Sequence, residues 1–167
     1  FSHLGNWSCP KCKFKRPKLS LTHFSFYPLS GIYNIYNTLA AVSFLYDVGL
    51  YDEQIVAGLK QFQPAFGRQE VLSIDGKKVQ IFLSKNPTSF NESLRTISDL
   101  KAKNVLFVLN DRIPDGRDVS WIWDAEFENL QPTTYNLTTI CSGTRAYDLA
   151  NRLKYAGFDP KQIIVEQ

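Results

Sequence analysis

Residues 104–124, NVLFVLNDRIPDGRDVSWIWD, decide the fold of this chain. The first seven form a short apolar run typical of a buried strand, and a loop rich in Asp, Arg and Trp follows directly. Before the run, residues 89–103 (SFNESLRTISDLKAK) predict a helix, whose start has the Ser-x-x-Glu spacing of a capping box at Ser89 and Glu92. The region therefore begins as a helix followed by a strand.

The alternation of helices and strands continues after the loop. A helix-like segment comes first, and residues 137–143 (LTTICSG) then predict a strand, residues 144–157 (TRAYDLANRLKYAG) a helix, and residues 163–166 (IIVE) a further strand. This order predicts an α/β domain with a mostly parallel sheet and flanking helices. Ligands and partners collect at the carboxyl ends of parallel strands, and the loop of residues 110–124 leaves such an end.

The part of the chain before this domain predicts two helices and a hairpin. Residues 31–48 (GIYNIYNTLAAVSFLYDV) predict an amphipathic helix, and residues 52–62 (DEQIVAGLKQF) a second helix with Asp52 as its N-cap. Residues 67–84 alternate in polarity on both sides of the turn pair Asp75-Gly76, which is typical of a hairpin. We place a domain junction near Gly67.

The composition is that of a folded protein, and the net charge is too small to argue for nucleic acid by itself. The 167 residues are 44% hydrophobic and 21% charged, and the net charge is only +3. Five cations occur close together, and we interpret them as a solvated face and not as a nucleic-acid site; they are Lys11, Lys13, Lys15, Arg16 and Lys18.

Several features predict a cytoplasmic protein. No apolar run approaches the roughly 20 residues that a membrane-spanning helix needs, and no signal peptide is recognisable. Three cysteines without a disulfide framework favour a reducing compartment. The chain starts without Met and stops on an apolar run, so we expect further sequence on both sides.

Residues 1–18 contain the motif CPKCKF, in which Cys9 and Cys12 have the spacing of a zinc knuckle. Structural zinc needs four ligands, so only half of a site is visible. His3 is a possible third ligand, and a second CxxC outside the chain is the commoner arrangement. A redox pair is the alternative, which we favour less because no strand-to-helix pattern surrounds the cysteines.

The loop of residues 110–124 contains four carboxylates and two tryptophans: Asp111, Asp115, Asp118, Asp124, Trp121 and Trp123. We assign turn and cap chemistry to Asp111 and Asp115. Asp118 and Asp124 bracket the two tryptophans, a residue type that favours interfaces. A carboxylate beside an aromatic patch can orient a partner's histidine, as the acid of a catalytic triad does. A purely solvated turn is the alternative.

Other residues suggest a nucleotide, although the chain has no phosphate-binding loop. Asn34 and Asn37 lie near one another on a helix face, and a side-chain amide offers the donor and acceptor that adenine recognition requires. Arg68 is a further candidate, and helix-surface asparagines without a ligand are the alternative. No GxxxxGK[ST] or GxGxxG motif is present, so this chain alone should not bind ATP in full. Cys141, inside a β-branched run, is expected to be a small buried hydrophobe.

Taken together, these motifs resemble the Mur ligases. GIYNIYNTLAA, GLKQF and FGRQE resemble the end of their ATP-binding central domain, with its Gly-x-x-Asn-x-x-Asn helix and Gly-Arg-x-Glu hinge. SKNPTSFNESL, NDRIPDGRDVSWIWD and SGTRAYDLANRLKYAG resemble the C-terminal domain of the narrower MurT family, the ligase subunits of lipid II isoglutaminyl synthase. The half ribbon CPKCKFKRP agrees, because that family carries a CxxC-CxxC zinc ribbon.

The resemblance implies a fold and a domain division. We expect the second half of a zinc ribbon over residues 1–18 and the helical end of a central domain over residues 19–67. Residues 68–167 are expected to form a Rossmann-like C-terminal domain with a mostly parallel sheet. The phosphate loop, the magnesium ligands and the first CxxC would lie upstream of Phe1.

The resemblance also implies an activity. The family uses ATP and Mg²⁺ to activate the α-carboxylate of D-glutamate in lipid II as an acyl phosphate, at the inner face of the membrane. Ammonia from a GatD-type glutaminase converts it to D-isoglutamine. We expect this chain to bind the glutaminase but not to catalyse ligation.

The site residues follow from the same resemblance. Matching the loop assigns to Asp118 the acid that completes the glutaminase Cys-His pair, with Asp111 and Asp124 as second choices. The nucleotide would contact Asn34, Asn37, Arg68 and Lys85, and zinc would bind Cys9 and Cys12. Leu83 departs from the pattern, since several Mur ligases have a ribose-binding Asp there.

Two other functions stay open at this point. One is a generic Mur or folylpolyglutamate-type ligase, which adds an amino acid and needs no glutaminase. The other is a non-enzymatic zinc-ribbon module whose basic knuckle binds RNA or protein.

Overall fold

The computed structural model describes residues 5–64, 67–130 and 137–166. Nine helices and strands of regular type follow one another along these residues, together with three short 3-10 helices. The regular elements are α1 Ile32–Asp47, α2 Asp52–Lys60, β1 Arg68–Ile74, β2 Lys77–Phe82, α3 Pro87–Asp99, β3 Asn104–Val108, β4 Thr138–Ser142, α4 Ala146–Tyr155 and β5 Ile163–Val165. The 3-10 helices are Ser120–Asp124, Phe127–Leu130 and Pro160–Gln162.

The sheet of the C-terminal part is parallel, as the sequence predicts. Its order is β3-β4-β5, with Phe107 opposite Cys141 and Cys141 opposite Val165. Helices α3 and α4 pack against it and bury apolar side chains such as Leu94 and Leu153 in one core. The predicted α/β class with a parallel sheet and flanking helices is therefore confirmed.

Cys141 is fully buried in this core, as expected for a small hydrophobe. Burial raises the pKa of its thiol to about 11, because the thiolate would lose its hydration there. The thiol is therefore neutral and unreactive at neutral pH.

Strand β3 corrects one expectation, because only one of its faces is buried. Val105 and Phe107 point into the core, whereas Leu106 and Val108 are each 57% exposed. A continuous apolar run predicts burial on both faces. That prediction was wrong for the described residues, in which the helices pack on the side of Val105 and Phe107.

Two predicted helix starts were also wrong. Helix α2 is preceded by Tyr51 as N-cap, and Asp52 is already its first residue. Helix α3 is capped by Asn86, whose Oδ1 accepts a hydrogen bond from the Ser89 amide at 2.8 Å. The capping box at Ser89 and Glu92 therefore does not form, because an earlier side chain already satisfies the free amide.

The remaining elements follow the sequence closely. Strands β1 and β2 form an antiparallel hairpin, and its turn residues Asp75 and Gly76 have φ of 49° and 73°, as a two-residue type I′ turn requires. A second, smaller core lies upstream and contains Phe24, Leu39, Val42 and Ile55. No helix in the described ranges is long and apolar enough to cross a bilayer. The division at residues 18 and 67 stays a prediction.

Candidate functional site

A cleft of about 720 Å³ lies between the start of α1, the β-hairpin and the start of α3. The four residues that the sequence suggests for nucleotide contact all line it: Asn34, Asn37, Arg68 and Lys85. Leu83 lines it as well and is 54% exposed. Folding therefore brings together side chains that are up to about fifty residues apart in the sequence.

The start of α1 approaches α3 closely because residue 31 is glycine. Gly31 has φ of +93°, and a Cβ at this position would lie 2.8 Å from the Thr96 Oγ1 atom on α3. Real Cβ atoms do not approach other heavy atoms so closely. A larger residue would therefore push α1 away from α3 and open the cleft between them.

Gln69 ties the hairpin to the same helix start. Its side chain is buried, its Nε2 donates to the Ser30 carbonyl at 2.6 Å, and its Oε1 accepts from the Ser30 amide at 3.1 Å. Gln69 has a left-handed φ of 62° at a register shift in β1. Sequence reasoning missed this residue, because a lone glutamine in a hinge motif predicts no partner 39 residues away.

The polar groups of the cleft suit an anionic ligand with a hydrogen-bonding edge. Asn34 is oriented by a hydrogen bond from its Nδ2 to the Ser30 carbonyl at 2.6 Å. The side chains of Asn37, Arg68 and Lys85 are exposed, and among the described residues they make no hydrogen bond or ion pair. These two cations and two amides therefore face the same cleft, whose lining also includes Glu92, a carboxylate that is paired with Arg95.

The loop after β3 begins with a network that occupies Asp111. The Thr144 hydroxyl donates to Asp111 Oδ1 at 2.9 Å, and Arg145 Nη1 lies 3.3 Å from Asp111 Oδ2. The Thr144 hydroxyl, followed by Arg145, lowers the pKa of Asp111. The carboxylate therefore links the carboxyl ends of β3 and β4, which is more than the turn chemistry that the sequence predicts for it.

Asp118 lies further along the loop and is exposed. Its Oδ1 accepts a hydrogen bond from the Ser120 amide at 2.8 Å. The Ser120 hydroxyl and amide hold the pKa of Asp118 below its ordinary value. Turn chemistry thus occurs at Asp118, where the sequence analysis did not expect it, and it leaves the ionised group open to solvent.

The two tryptophans of the loop have different environments. Trp121 is half-buried and packs edge-on against Phe90, with ring centroids 5.6 Å apart. Trp123 is 49% exposed, and its ring lies 5.8 Å from that of Tyr155. Trp121 therefore contributes to the core, and Trp123 is the one available to a partner. Asp124, next to it, is also exposed.

Arg152 of α4 holds the segment that carries Trp123. It is only 5% exposed, and its guanidinium donates to the carbonyls of Ile122 at 3.2 Å and Ala125 at 2.6 Å. It also pairs with Glu128 at 2.9 Å. Sequence reasoning missed this arginine, although its position on the apolar stripe of a helix was a usable indication.

The cysteine motif forms a tight knuckle. The Cys9 amide donates to the Phe14 carbonyl at 2.7 Å, and the Lys13 amide donates to the Cys9 carbonyl at 3.0 Å. Hydrogen bonds from Cys12 and from the Lys11 amide lower the pKa of the Cys9 thiol, which suits a thiolate ligand. The described residues contain no group of three or more metal-ligating side chains, and His3 lies outside them.

Comparison with known proteins identifies the family. Residues 83–167 match the family described as MurT ligase C-terminal. The chain belongs to the MurT family. Subunit MurT of the glutamine-hydrolyzing lipid II isoglutaminyl synthase of Staphylococcus aureus strain COL is 34% identical over 184 residues, covering 100% of this chain and 41% of that protein.

Two further comparisons place the MurT-family chain among its relatives. The MurT subunit of Streptococcus pneumoniae R6 is 32% identical over 183 residues, covering 98% of this chain and 40% of that protein. A folylpolyglutamate synthase from Thermotoga maritima has the same fold, with a TM-score of 0.53 at 20% identity over 83% of this chain and 32% of its own. The chain thus spans about two fifths of the length of its MurT relatives.

Proposed function

We propose that this chain is part of the ligase subunit of a glutamine-dependent amidotransferase. The whole protein would amidate the α-carboxylate of D-glutamate in lipid II at the inner face of the membrane, using ammonia from a GatD-type glutaminase. The observation that carries the proposal is the exposed, ionised Asp118 on the loop at the carboxyl edge of the sheet, in a chain of the MurT family.

In this proposal Asp118 completes the active site of the partner. The glutaminase contributes a cysteine and a histidine, and the carboxylate of Asp118 accepts a hydrogen bond from the imidazole. This bond selects the tautomer that can take the proton from the thiol and stabilises the imidazolium that forms. The hydrogen bond from the Ser120 amide orients the carboxylate through Oδ1 and leaves Oδ2 for the imidazole.

The cleft would hold the nucleotide in the same proposal. Asn37 and Asn34 would meet the adenine, and Arg68 and Lys85 the phosphates. ATP with Mg²⁺ supplies the phosphoryl group that activates the carboxylate. Leu83 offers no hydrogen bond to a ribose, so another group must contact the sugar. Zinc would bind Cys9 and Cys12 together with ligands beyond the described residues.

The test of the proposal is binding and turnover of a purified GatD-type glutaminase with and without this chain. We expect a complex and a rise in glutamine hydrolysis. Trp123→Ala should weaken the complex about 30-fold, since an exposed aromatic held by Arg152 and Tyr155 is a typical interface hot spot.

Phe44→Ala is the matched control, because Phe44 is a 65% exposed aromatic on α1, away from the loop. It should bind like the wild type. Absence of any complex with the wild-type chain would overturn the proposal. Equal losses of affinity in both variants would mean that the interface is not centred on Trp123.

A second test addresses the cleft. We expect titration with ADP to shift the amide resonances of the first turn of α1 and of residues 83–86. Asn37→Ala should raise the Kd about tenfold, the cost of one lost hydrogen bond in a partly desolvated site. Shifts confined to other parts of the chain would contradict the nucleotide assignment.

A further inference from the structure

The charges of this chain are divided unevenly along the sequence. The first 46 residues contain five lysines or arginines and no Asp or Glu, whereas the net charge of the whole chain is only +3. All five cations lie between residues 11 and 18. The knuckle and the residues that follow it therefore form a strongly basic segment with no acidic residue near it in sequence.

The structure makes this segment a short hairpin with exposed apolar residues beside the cations. Ser8 and Lys15 form an antiparallel bridge, and the Arg16 amide donates to the Trp7 carbonyl at 3.0 Å. Trp7 and Phe14 are 47% and 62% exposed, with ring centroids 5.4 Å apart. Leu19 is 54% exposed as well.

The cations of the hairpin are available to a partner. The four lysines are exposed, and none of the ion pairs between described residues involves them: Lys11, Lys13, Lys15 and Lys18. Arg16 is more enclosed, and its guanidinium donates to the Gly5 carbonyl at 2.6 Å. The lysines are therefore the groups that can meet anions.

We propose that this hairpin, residues 7–19, is a docking surface for an anionic lipid bilayer. Tryptophan and phenylalanine favour the membrane–water interface, where the rings replace water against the acyl boundary. Lysines beside them are attracted to acidic headgroups, at about 1 kcal/mol each near the surface. The two cores formed by the described residues include neither ring.

A bilayer fits these observations better than a nucleic acid does. Proteins that bind single strands use a basic groove that follows the backbone, with aromatic faces free for stacking bases. Here the exposed lysines are spread over residues 11–18, and neither of the two clefts described in this chain is lined by residues of the hairpin. The Trp7 and Phe14 rings moreover pack against each other.

The inference rests on the proposed function in one respect only: membrane docking would bring the enzyme to its lipid-linked substrate. The test needs no catalysis. This chain is sedimented with vesicles of phosphatidylcholine alone and with about 30% phosphatidylglycerol. We expect binding only to the anionic vesicles, and its loss at about 0.5 M NaCl, where charges are screened within a few ångströms.

Variants locate the surface. Lys11→Gln with Lys15→Gln should lower the vesicle partition coefficient about 25-fold, or about fivefold per lysine. Lys77→Gln with Lys78→Gln removes two exposed charges from the start of β2 and should change the partition coefficient less than about twofold. Trp7→Ala should lower partitioning while leaving the far-UV circular dichroism spectrum unchanged.

The opposite results would overturn the inference. Equal losses in the two double variants would mean that net charge alone drives binding. Binding to a poly(dT) oligonucleotide that is tighter than to vesicles, and lost in Lys11→Gln with Lys15→Gln, would assign the hairpin to nucleic acid. Failure of vesicle binding with intact glutaminase activation would refute this inference and leave the proposed function standing.

Discussion

Asp118→Asn should lower the glutamine hydrolysis of the partnered glutaminase about 10⁴-fold while leaving complex formation intact, as replacement of a triad acid by its amide does. The amide keeps an oxygen that accepts the bond from the Ser120 amide, so the turn is preserved. It loses the charge that stabilises the imidazolium, and its NH₂ group favours the wrong tautomer. Turnover and affinity, measured on the same samples, separate the loss of catalysis from any loss of binding.

Two neighbouring carboxylates supply the controls for this experiment. Asp124→Asn changes an exposed group in the same loop and should leave turnover unchanged. Asp111→Asn weakens the contacts with Thr144 and Arg145. It should therefore lower the free energy of unfolding while changing turnover little. Full activity of Asp118→Asn, or a large loss in Asp124→Asn, would remove Asp118 from the triad.

The pH dependence provides an independent check on the same residue. Because Ser120 holds the pKa of Asp118 below its ordinary value, the carboxylate stays ionised as the pH falls towards about 5. Any loss of turnover in that range must therefore come from another group, such as the partner's imidazole, whose ordinary pKa is about 6.5. If the fall in turnover at acid pH disappeared in Asp118→Asn, the assignment of that fall to another group would be contradicted.

The regular elements could be predicted because their causes are local. Alternating and apolar runs give β3, β4 and β5, and the pair Asp75-Gly76 gives the hairpin turn, since both residues tolerate a positive φ. The starts of α2 and α3 were misplaced for a related reason. Several polar side chains near each start could cap it, and only the backbone geometry selects Asn86 over Ser89.

The candidate site was less accessible to sequence reasoning. Asn34, Asn37 and Arg68 drew attention as residue types, and the two amides already suggested adenine, but Lys85 and the roles of the two cations came from the family resemblance. The groups that hold the site together were missed altogether. Gln69 bonds Ser30 across 39 residues, and Arg152 bonds Ile122 across 30. Such long-range pairs follow from the tertiary fold and leave no periodic pattern in the sequence.

The second large effect is expected for Gly143→Ala, which should lower the free energy of unfolding by about 3 kcal/mol. Gly143 has φ of +97°, and a Cβ there would lie 2.4 Å from the Leu109 carbonyl oxygen. That oxygen accepts the Arg145 amide at 3.0 Å, so it cannot move away without breaking this bond. Since the obstacle is backbone, no side-chain rotation relieves it.

Gly116→Ala separates the two causes of this loss. Gly116 has a similar φ of +90°, but nothing lies within 4 Å of the position where its Cβ would be. Gly116→Ala should therefore lower the free energy of unfolding only by the left-handed backbone strain, about 1 kcal/mol. Urea denaturation of both variants measures the difference. Equal losses would show that the close approach of the β3 and β4 ends is not rigid. The hydrogen bonds of the Asn110 and Asp111 side chains with Thr144 would then hold these ends together alone.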